Sequence, residues 1–233
     1  MAIDDIIVAT YNIRHGVNMA GDLDLDATAA LLAQINPHII ALQEVDEFRP
    51  RSNWVKQSAY LAKQLDMNYV FGASIRYHTG AYGNALLSKF PIKSPVTHFL
   101  PDSTENRSCL KADIEIGSQI LTVLNTHLGL DSQSRQRQLR EFILPLMKKQ
   151  LHPAILLGDF NAPDNSQEVK MVAKYLQDTF KFNSGPQVNT FSANHPQTRI
   201  DYIFFNSYCE CGNFYIVDSM ASDHLPVVAV ISI

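Results

Sequence analysis

Ala154-Ile155-Leu156-Leu157-Gly158-Asp159-Phe160-Asn161 passes through four apolar residues and then turns to a glycine, a carboxylate and an amide. A short apolar run without polar alternation reads as a strand buried on both faces. The pattern recurs. Ile6-Ile7-Val8-Ala9 leads into Tyr11-Asn12-Ile13, His38-Ile39-Ile40-Ala41-Leu42 into Gln43-Glu44, and Ile120-Leu121-Thr122-Val123-Leu124 into Asn125-Thr126-His127-Leu128. Ser222-Asp223-His224 stands just ahead of the last apolar run. Polar residues repeatedly placed where buried strands end are expected along one rim, and a rim of Asn, Glu, His, Asp and His reads as a reaction site.

The chain around these phrases has 233 residues, 46% of them hydrophobic and 9% aromatic, enough for the core of one large domain. One globular unit over residues 1–233 is expected, because repeats, low-complexity tracts and Gly/Ser linkers are absent from the sequence. No run approaches the roughly 18 apolar residues that span a bilayer. Asp4-Asp5 opens directly into a strand without a basic and apolar signal region, so a cytoplasmic location is expected. Three cysteines, Cys109, Cys209 and Cys211, are too few for a disulfide framework and agree with a reducing compartment. Cys209-x-Cys211 lacks a second ligand pair at short spacing and reads as two ordinary thiols. A net charge of −4 argues against nonspecific grip on long polyanions, which depends on Lys and Arg contacts to phosphate.

Along the chain, Ala27, Ala30, Leu31 and Ile35 have helical spacing, with Asp26 placed to cap the start and Pro37 to close the end. Further helices are expected over Trp54 to Leu65, Gln133 to Met147 and Glu168 to Leu176. Strands are expected at Tyr69 to Phe71, Ala85 to Leu87, Cys109 to Ile116, Ile200 to Phe205, Tyr215 to Val217 and Val227 to Ile231. Gly117-Ser118 makes a hairpin of the strands on either side of it. Hairpins together with crossovers predict mixed sheets covered by helices.

Each phrase has its own chemistry. Glu44 is the clearest hard-metal ligand, since Mg²⁺ takes one or two carboxylates and keeps the rest of its shell for water and phosphate oxygen. Asn12 can support that ion through its side-chain carbonyl. The glycine of Gly158-Asp159-Phe160-Asn161 permits a sharp strand exit, Phe160 faces the core, and Asp159 and Asn161 share the pocket. Asp159 can orient or deprotonate water, while Asn161 can donate to a phosphoryl oxygen. His127 ends its strand where the pocket begins. Asp201 can supply the carboxylate that fixes the tautomer of His224 and stabilises its charge.

Taken in order, Tyr11-Asn12-Ile13, Gln43-Glu44, Asn125-Thr126-His127-Leu128, Gly158-Asp159-Phe160-Asn161, Arg199-Ile200-Asp201-Tyr202 and Ser222-Asp223-His224-Leu225-Pro226 resemble the endonuclease/exonuclease/phosphatase superfamily. Tyr82-Gly83-Asn84-Ala85-Leu86-Leu87-Ser88 and Phe90-Pro91-Ile92 add to the match, which spans residues 6 to 230. The resemblance implies an α/β fold of the DNase I-like kind, a four-layer α/β/β/α sandwich of two mixed sheets flanked by helices. It implies a phosphoester hydrolase with a divalent ion, Mg²⁺ or alternatively Mn²⁺, and in-line attack by water. Glu44 then resembles the principal metal ligand, Asn12 its neighbour, and Asp223 a carboxylate near the ion. Asp159 matches the water-orienting position, Asn161 and His127 the groups on the phosphate, and Asp201 with His224 the buried carboxylate–imidazole pair. Both Asp159 and His224 stand as candidates for the base, with Asp159 favoured. Where apurinic-site repair nucleases carry a carboxylate two residues after the strand-end Asn, this chain has Arg14. That departure favours one metal and a cation able to contact phosphate.

Substrate choice rests with the loops, where Arg14, Asn84 and Arg107 are the expected substrate contacts and Arg49, Arg51, Arg76 and Tyr82 stand nearby in sequence. Ser134-Arg135-Gln136-Arg137-Gln138-Leu139-Arg140 reads as a solvated helix face. A small-molecule or lipid-headgroup phosphoester is the favoured substrate, as in sphingomyelinase-like enzymes. Nucleic acid is the second class, and a binding module without catalysis the third.

Overall fold

The computed structural model describes residues 5–186 and 188–233. Twelve strands among the described residues form two six-stranded sheets. The first sheet is built from β1 (Asp5–Asn12), β2 (Ile39–Glu47), β3 (Asn68–Arg76), β4 (Ala81–Ser88), β11 (Glu210–Ile216) and β12 (Val227–Ser232), in the order β11-β12-β1-β2-β4-β3. The second contains β5 (Ile92–Leu100), β6 (Arg107–Ile116), β7 (Gln119–His127), β8 (Ala154–Asp159), β9 (Gln177–Asp178) and β10 (Asp201–Phe205), in the order β5-β6-β7-β8-β10-β9. Both sheets are mixed. β1 pairs parallel with β2, and β7 parallel with β8, while the other pairs are antiparallel.

Apolar residues of both sheets, among them Val8, Ala41, Leu110, Val123, Leu157, Ile203 and Ala229, meet in a core between them. A second core lies under α1 (Leu25–Ile35) and α2 (Gln57–Leu65) on the outer face of the first sheet. A third lies under α3 (Ser132–Arg137), α4 (Leu144–Lys148) and α5 (Gln167–Val172) on the outer face of the second. Three cores between four layers give the α/β/β/α sandwich. The parallel pairs explain the continuous apolar runs, since their strands are covered on both faces.

Several element boundaries differ from the sequence reading, each for a local reason. The cap of α1 is Asp24, whose Oδ1 accepts from the Ala27 N–H at 2.9 Å; Asp26 sits inside the first turn and accepts from the Tyr60 hydroxyl instead. Trp54 lies in a left-handed turn before α2. Between α3 and α4 the chain widens into a π-helical turn, Gln138–Ile143, which ends two residues before Pro145. Proline has no N–H to give to the preceding turn, and the wider spacing accommodates that loss. Strand β5 was not expected because its residues are largely exposed and lack alternation.

The basic run also divides. Arg137 and Arg140 are exposed, but Arg135 is buried, with Nε 2.9 Å from Glu168 Oε1 and Nη1 donating to the carbonyls of Gly129 and Leu130. Arg135 therefore ties α3 to α5 rather than joining a solvated face. Among the described residues no helix is long and apolar enough to cross a membrane.

Candidate active site

The rim expected from the sequence is made largely by strand register. His127 ends β7 beside Asp159 at the end of β8, and Asp201, the first residue of β10, pairs with Asp159. Three neighbouring strands of the second sheet thus deliver His127, Asp159 and Asp201 to one edge. Gly158 earns its place through closeness: its φ is +138°, and a Cβ there would overlap the carbonyl oxygen of Thr126 on β7. Phe160 is fully buried, 5.1 Å from the Tyr202 ring and 5.4 Å from the Phe204 ring, which leaves Asp159 and Asn161 on the other side.

The first sheet contributes Asn12 at the end of β1, and Glu44 by another route. β2 does not end after its apolar run but continues to Glu47. Its register with β4 jumps between Leu42 and Val45, so Gln43 and Glu44 together face a single partner residue. Glu44 has φ +58° in this bulge. The extra residue turns its carboxylate out of the pleat, a familiar use of bulges beside sites. Asn125 stabilises the bulge from the opposite sheet, giving its amide to the Leu42 and Ala85 carbonyls at 2.9 and 2.8 Å and accepting from Gln43 Nε2 at 2.8 Å.

These residues surround an open cavity of about 380 Å³ lined by Glu44, His127, Asp159, Asn161, Asp223 and His224 together with Arg107. At its floor Asn12 Nδ2 lies 3.0 Å from both Glu44 Oε1 and Asp159 Oδ2, while Asn12 Oδ1 accepts from the Arg14 N–H. Asn12, expected beside the metal as an oxygen donor, here presents its amide nitrogen to both carboxylates. His224 Nδ1 is 2.9 Å from Asp201 Oδ2, the pairing expected from the sequence, and its Nε2 is 3.7 Å from Asp159 Oδ2. His127 Nε2 approaches the same Asp159 oxygen at 3.4 Å. Asn161 Nδ2 donates to the Leu128 carbonyl, and the Asn161 N–H to Asp159 Oδ1 at 2.8 Å.

Of the three expected substrate contacts, Arg107 alone lines the cavity: it is buried, with Nη1 2.9 Å from Glu105 Oε2 and 3.2 Å from His127 Nδ1. Asn84 is 1% exposed and gives its amide to the Ser108 carbonyl at 2.9 Å, so it ties the two sheets and does not reach the cavity wall. Arg14 is half-buried outside the lining, with Nε 3.7 Å from Asp223 Oδ2. Arg51 and Tyr82 also line the cavity. Glu105, Leu130 and Phe191 do so without having been expected. Glu105 and Leu130 sit in loops that flank strand ends, and Phe191 reaches His224 from a long loop, with ring centroids 4.9 Å apart. The position of Glu105 two residues before Arg107 was the one local hint.

Charge at the site is sharply sorted. Burial would raise Glu44, but the His15 imidazole, the Asn12 amide and the charge on His224 outweigh it, so the carboxylate stays well below the usual range. Burial likewise opposes a proton on His224, yet Asp201 and Asp159 push it up to about 10. His127 is pushed down to about 3 by burial and by Arg107, which keeps it neutral. Asp159 is raised to about 7 by burial, with His224 opposing the rise.

Asp159, Asp201 and His224 each offer a ligand atom, all within 4.8 Å of one another, a geometry able to hold a metal. Glu44 and Asp223 are further carboxylates that could take a hard cation. Both line the cavity, Glu44 is ionised, and its Oε2 makes no hydrogen bond whereas Oε1 is held by Asn12. The oxygens of Asp201 are already directed at His224.

Residues 9–224 match the Endonuclease/Exonuclease/phosphatase family. The chain is 30% identical over 186 residues to the uncharacterized protein YbhP of Escherichia coli, covering 73% of this chain and 72% of that one. An endonuclease/exonuclease/phosphatase structure from Beutenbergia cavernae superposes with a TM-score of 0.81 at 23% identity, over 98% of this chain and 72% of the other. A mannosyl-6-phosphatase from Bacteroides thetaiotaomicron gives 0.81 at 18% identity, over 98% and 100%.

Proposed function

The chain belongs to the endonuclease/exonuclease/phosphatase family, and from that premise we propose that it is a divalent-metal-dependent hydrolase of a small-molecule or lipid-headgroup phosphoester. The observation that carries this reading is the convergence on one carboxylate: Asp159 Oδ2 lies 3.0 Å from Asn12 Nδ2, 3.4 Å from His127 Nε2 and 3.7 Å from His224 Nε2. A group so placed can orient a water and accept its proton, and burial raises it toward neutrality, where a general base works best.

The remaining residues fit the charge that grows on a phosphoryl group. His224, kept protonated by Asp201, is a cation facing the cavity, which supports Asp159 rather than His224 as base. Arg107 and neutral His127 also line the cavity with N–H groups, and the Asn161 amide carries a second proton that can go to a phosphoryl oxygen. Glu44 and Asp223 would hold the ion, Mg²⁺ or Mn²⁺, with Asn12 fixing Glu44; when bound, the ion neutralises phosphoryl charge as a Lewis acid. Arg51 and Tyr82 extend the wall and suit the group beyond the phosphate.

The net charge of −4 supports a small or headgroup substrate over long nucleic acid. Turnover of an aryl phosphodiester, an aryl phosphomonoester, phospholipid vesicles, RNA and plasmid DNA with Mg²⁺ or Mn²⁺ tests the proposal, using chelator and Glu44→Ala as controls. Hydrolysis of a small ester or phospholipid that both controls abolish is expected. Plasmid or RNA cleavage outpacing every small substrate would replace the substrate class, and no turnover on any member would replace the enzyme with a binding module.

A further inference from the structure

The turn after β1 brings His15 to Glu44, where the roles above use it only to favour the ionised carboxylate. Arg14, His15 and Gly16 all have positive φ, at 45°, 45° and 81°, a succession that a run of L-residues adopts only when its surroundings enforce it. The enforcement is visible. The Arg14 N–H donates to Asn12 Oδ1 at 3.0 Å, the Gly16 N–H to the Ile13 carbonyl at 2.7 Å, and Gln57 Nε2 to the His15 carbonyl at 2.6 Å. Gly16 itself packs against Gln57, Leu23 and Leu25, which leaves the turn little freedom to shift.

The result of this bracing is that His15 Nδ1 is buried and makes no hydrogen bond, with Glu44 Oε2 3.9 Å away. A buried nitrogen without a partner calls for an explanation, and an ion is one of the few available. Were His15 only a counter-charge for Glu44, its N–H would be expected to close to about 2.7–2.9 Å, the distance of a charge-assisted hydrogen bond. The observed gap instead suits two ligand atoms on either side of one ion, which at about 2.0–2.2 Å each can stand up to about 4.4 Å apart. Glu44 Oε2 is the oxygen that Asn12 leaves free, so two atoms without a hydrogen bond face each other at ion-pair distance.

We propose that His15, through Nδ1, is a ligand of the divalent cation held at Glu44, and that this mixed nitrogen and oxygen site takes Mn²⁺ in preference to Mg²⁺. Mg²⁺ keeps an all-oxygen shell and gives up its waters reluctantly, whereas Mn²⁺ shares its taste for carboxylates but, as a transition ion, more readily admits one imidazole beside them. The proposal rests on the reading of Glu44 as the cation's carboxylate, and its test separates the two.

The measurement is Mn²⁺ and Mg²⁺ binding to the full chain by titration, with the electron spin-echo signal of bound Mn²⁺ read for coupling to imidazole nitrogen. His15→Asn is the test variant because Asn tolerates the left-handed backbone, and its melting temperature without metal establishes that it is folded. His15→Gln serves as a second variant. Expected are nitrogen coupling in the wild type that disappears in His15→Asn, and a loss of Mn²⁺ affinity of about tenfold or more. The loss for Mg²⁺ should be smaller. Mn²⁺ binding that is unchanged or tighter in His15→Asn, as removal of a competing positive charge would produce, overturns the role given to His15. Nitrogen coupling that persists in both variants does the same. If Glu44→Gln binds Mn²⁺ like the wild type, or the wild type binds none, the cation site itself is refuted.

Discussion

Replacing Asn125 with Leu attacks the bulge that turns Glu44 toward the cavity. Asn125 is fully buried, and its amide nitrogen is the side-chain donor to the carbonyls of Leu42 and Ala85, which stand beside the interrupted β2–β4 ladder. Its oxygen also accepts from Gln43, the residue next to Glu44. Leucine matches asparagine in branching but is bulkier and offers neither donor nor acceptor, so two carbonyls are left without this donor and Gln43 loses a partner. Each buried polar group deprived in this way costs about 1–3 kcal/mol, and the apolar side chain recovers part of the loss. A net destabilisation of about 3 kcal/mol is expected, or a melting temperature lower by about 6–12 °C for a chain of this size. Thermal and urea unfolding measure it, and Mn²⁺ titration of the folded variant should show weaker binding because Glu44 is no longer held. A melting shift under about 2 °C with unchanged Mn²⁺ affinity would refute the reasoning, since it would mean that the bulge stands without its tie.

Other expectations follow from single contacts. Gly158→Ala places a Cβ against the Thr126 carbonyl where β7 and β8 pair, and should leave little folded protein in the soluble fraction at 37 °C. Asp201→Asn removes the carboxylate that keeps His224 charged, and kcat should fall by about 10²-fold or more, read under saturating substrate and metal. His38 Nδ1 accepts from the Ile7 N–H at 2.9 Å, and burial and then Lys89 lower its pKa. Its native state therefore binds a proton less readily than the unfolded chain, so the associated stability is complete above about pH 6.5 and is lost as pH falls below that value. His38→Asn should melt with a shallower acid dependence between about pH 7 and 5 than the wild type.

The layers and most of the site were legible because buried parallel strands and strand-end polar residues leave a linear record. His127, Asp159 and Asp201 converge by register alone, and the Asp201–His224 pair needed only the complementarity of carboxylate and imidazole. Glu44 was found for an incomplete reason. Its placement depends on a bulge whose tie comes from Asn125, 82 positions from Gln43 and on the other sheet. Asn84 and Arg14 were harder to read, because whether a polar side chain faces a cavity or spans two sheets is decided by partners such as Ser108 and Asp223, distant in sequence. His15 left a trace in the dipeptide His15-Gly16, but the left-handed turn that aims it at Glu44 is enforced by Gln57 on another element.

The central claim is that this cavity hydrolyses a phosphoester with water oriented by Asp159 and with a divalent ion. Protein stripped by chelator and then given Mn²⁺ or Mg²⁺, with an aryl phosphodiester in ¹⁸O-labelled water, tests it most directly. The account predicts no turnover before the ion is restored, turnover after it, one ¹⁸O in the phosphorus-containing product, and a rate in Asp159→Asn lower by about 10²-fold or more. Equal turnover in stripped protein, label in the leaving alcohol, or an Asp159→Asn rate close to that of the wild type would contradict it.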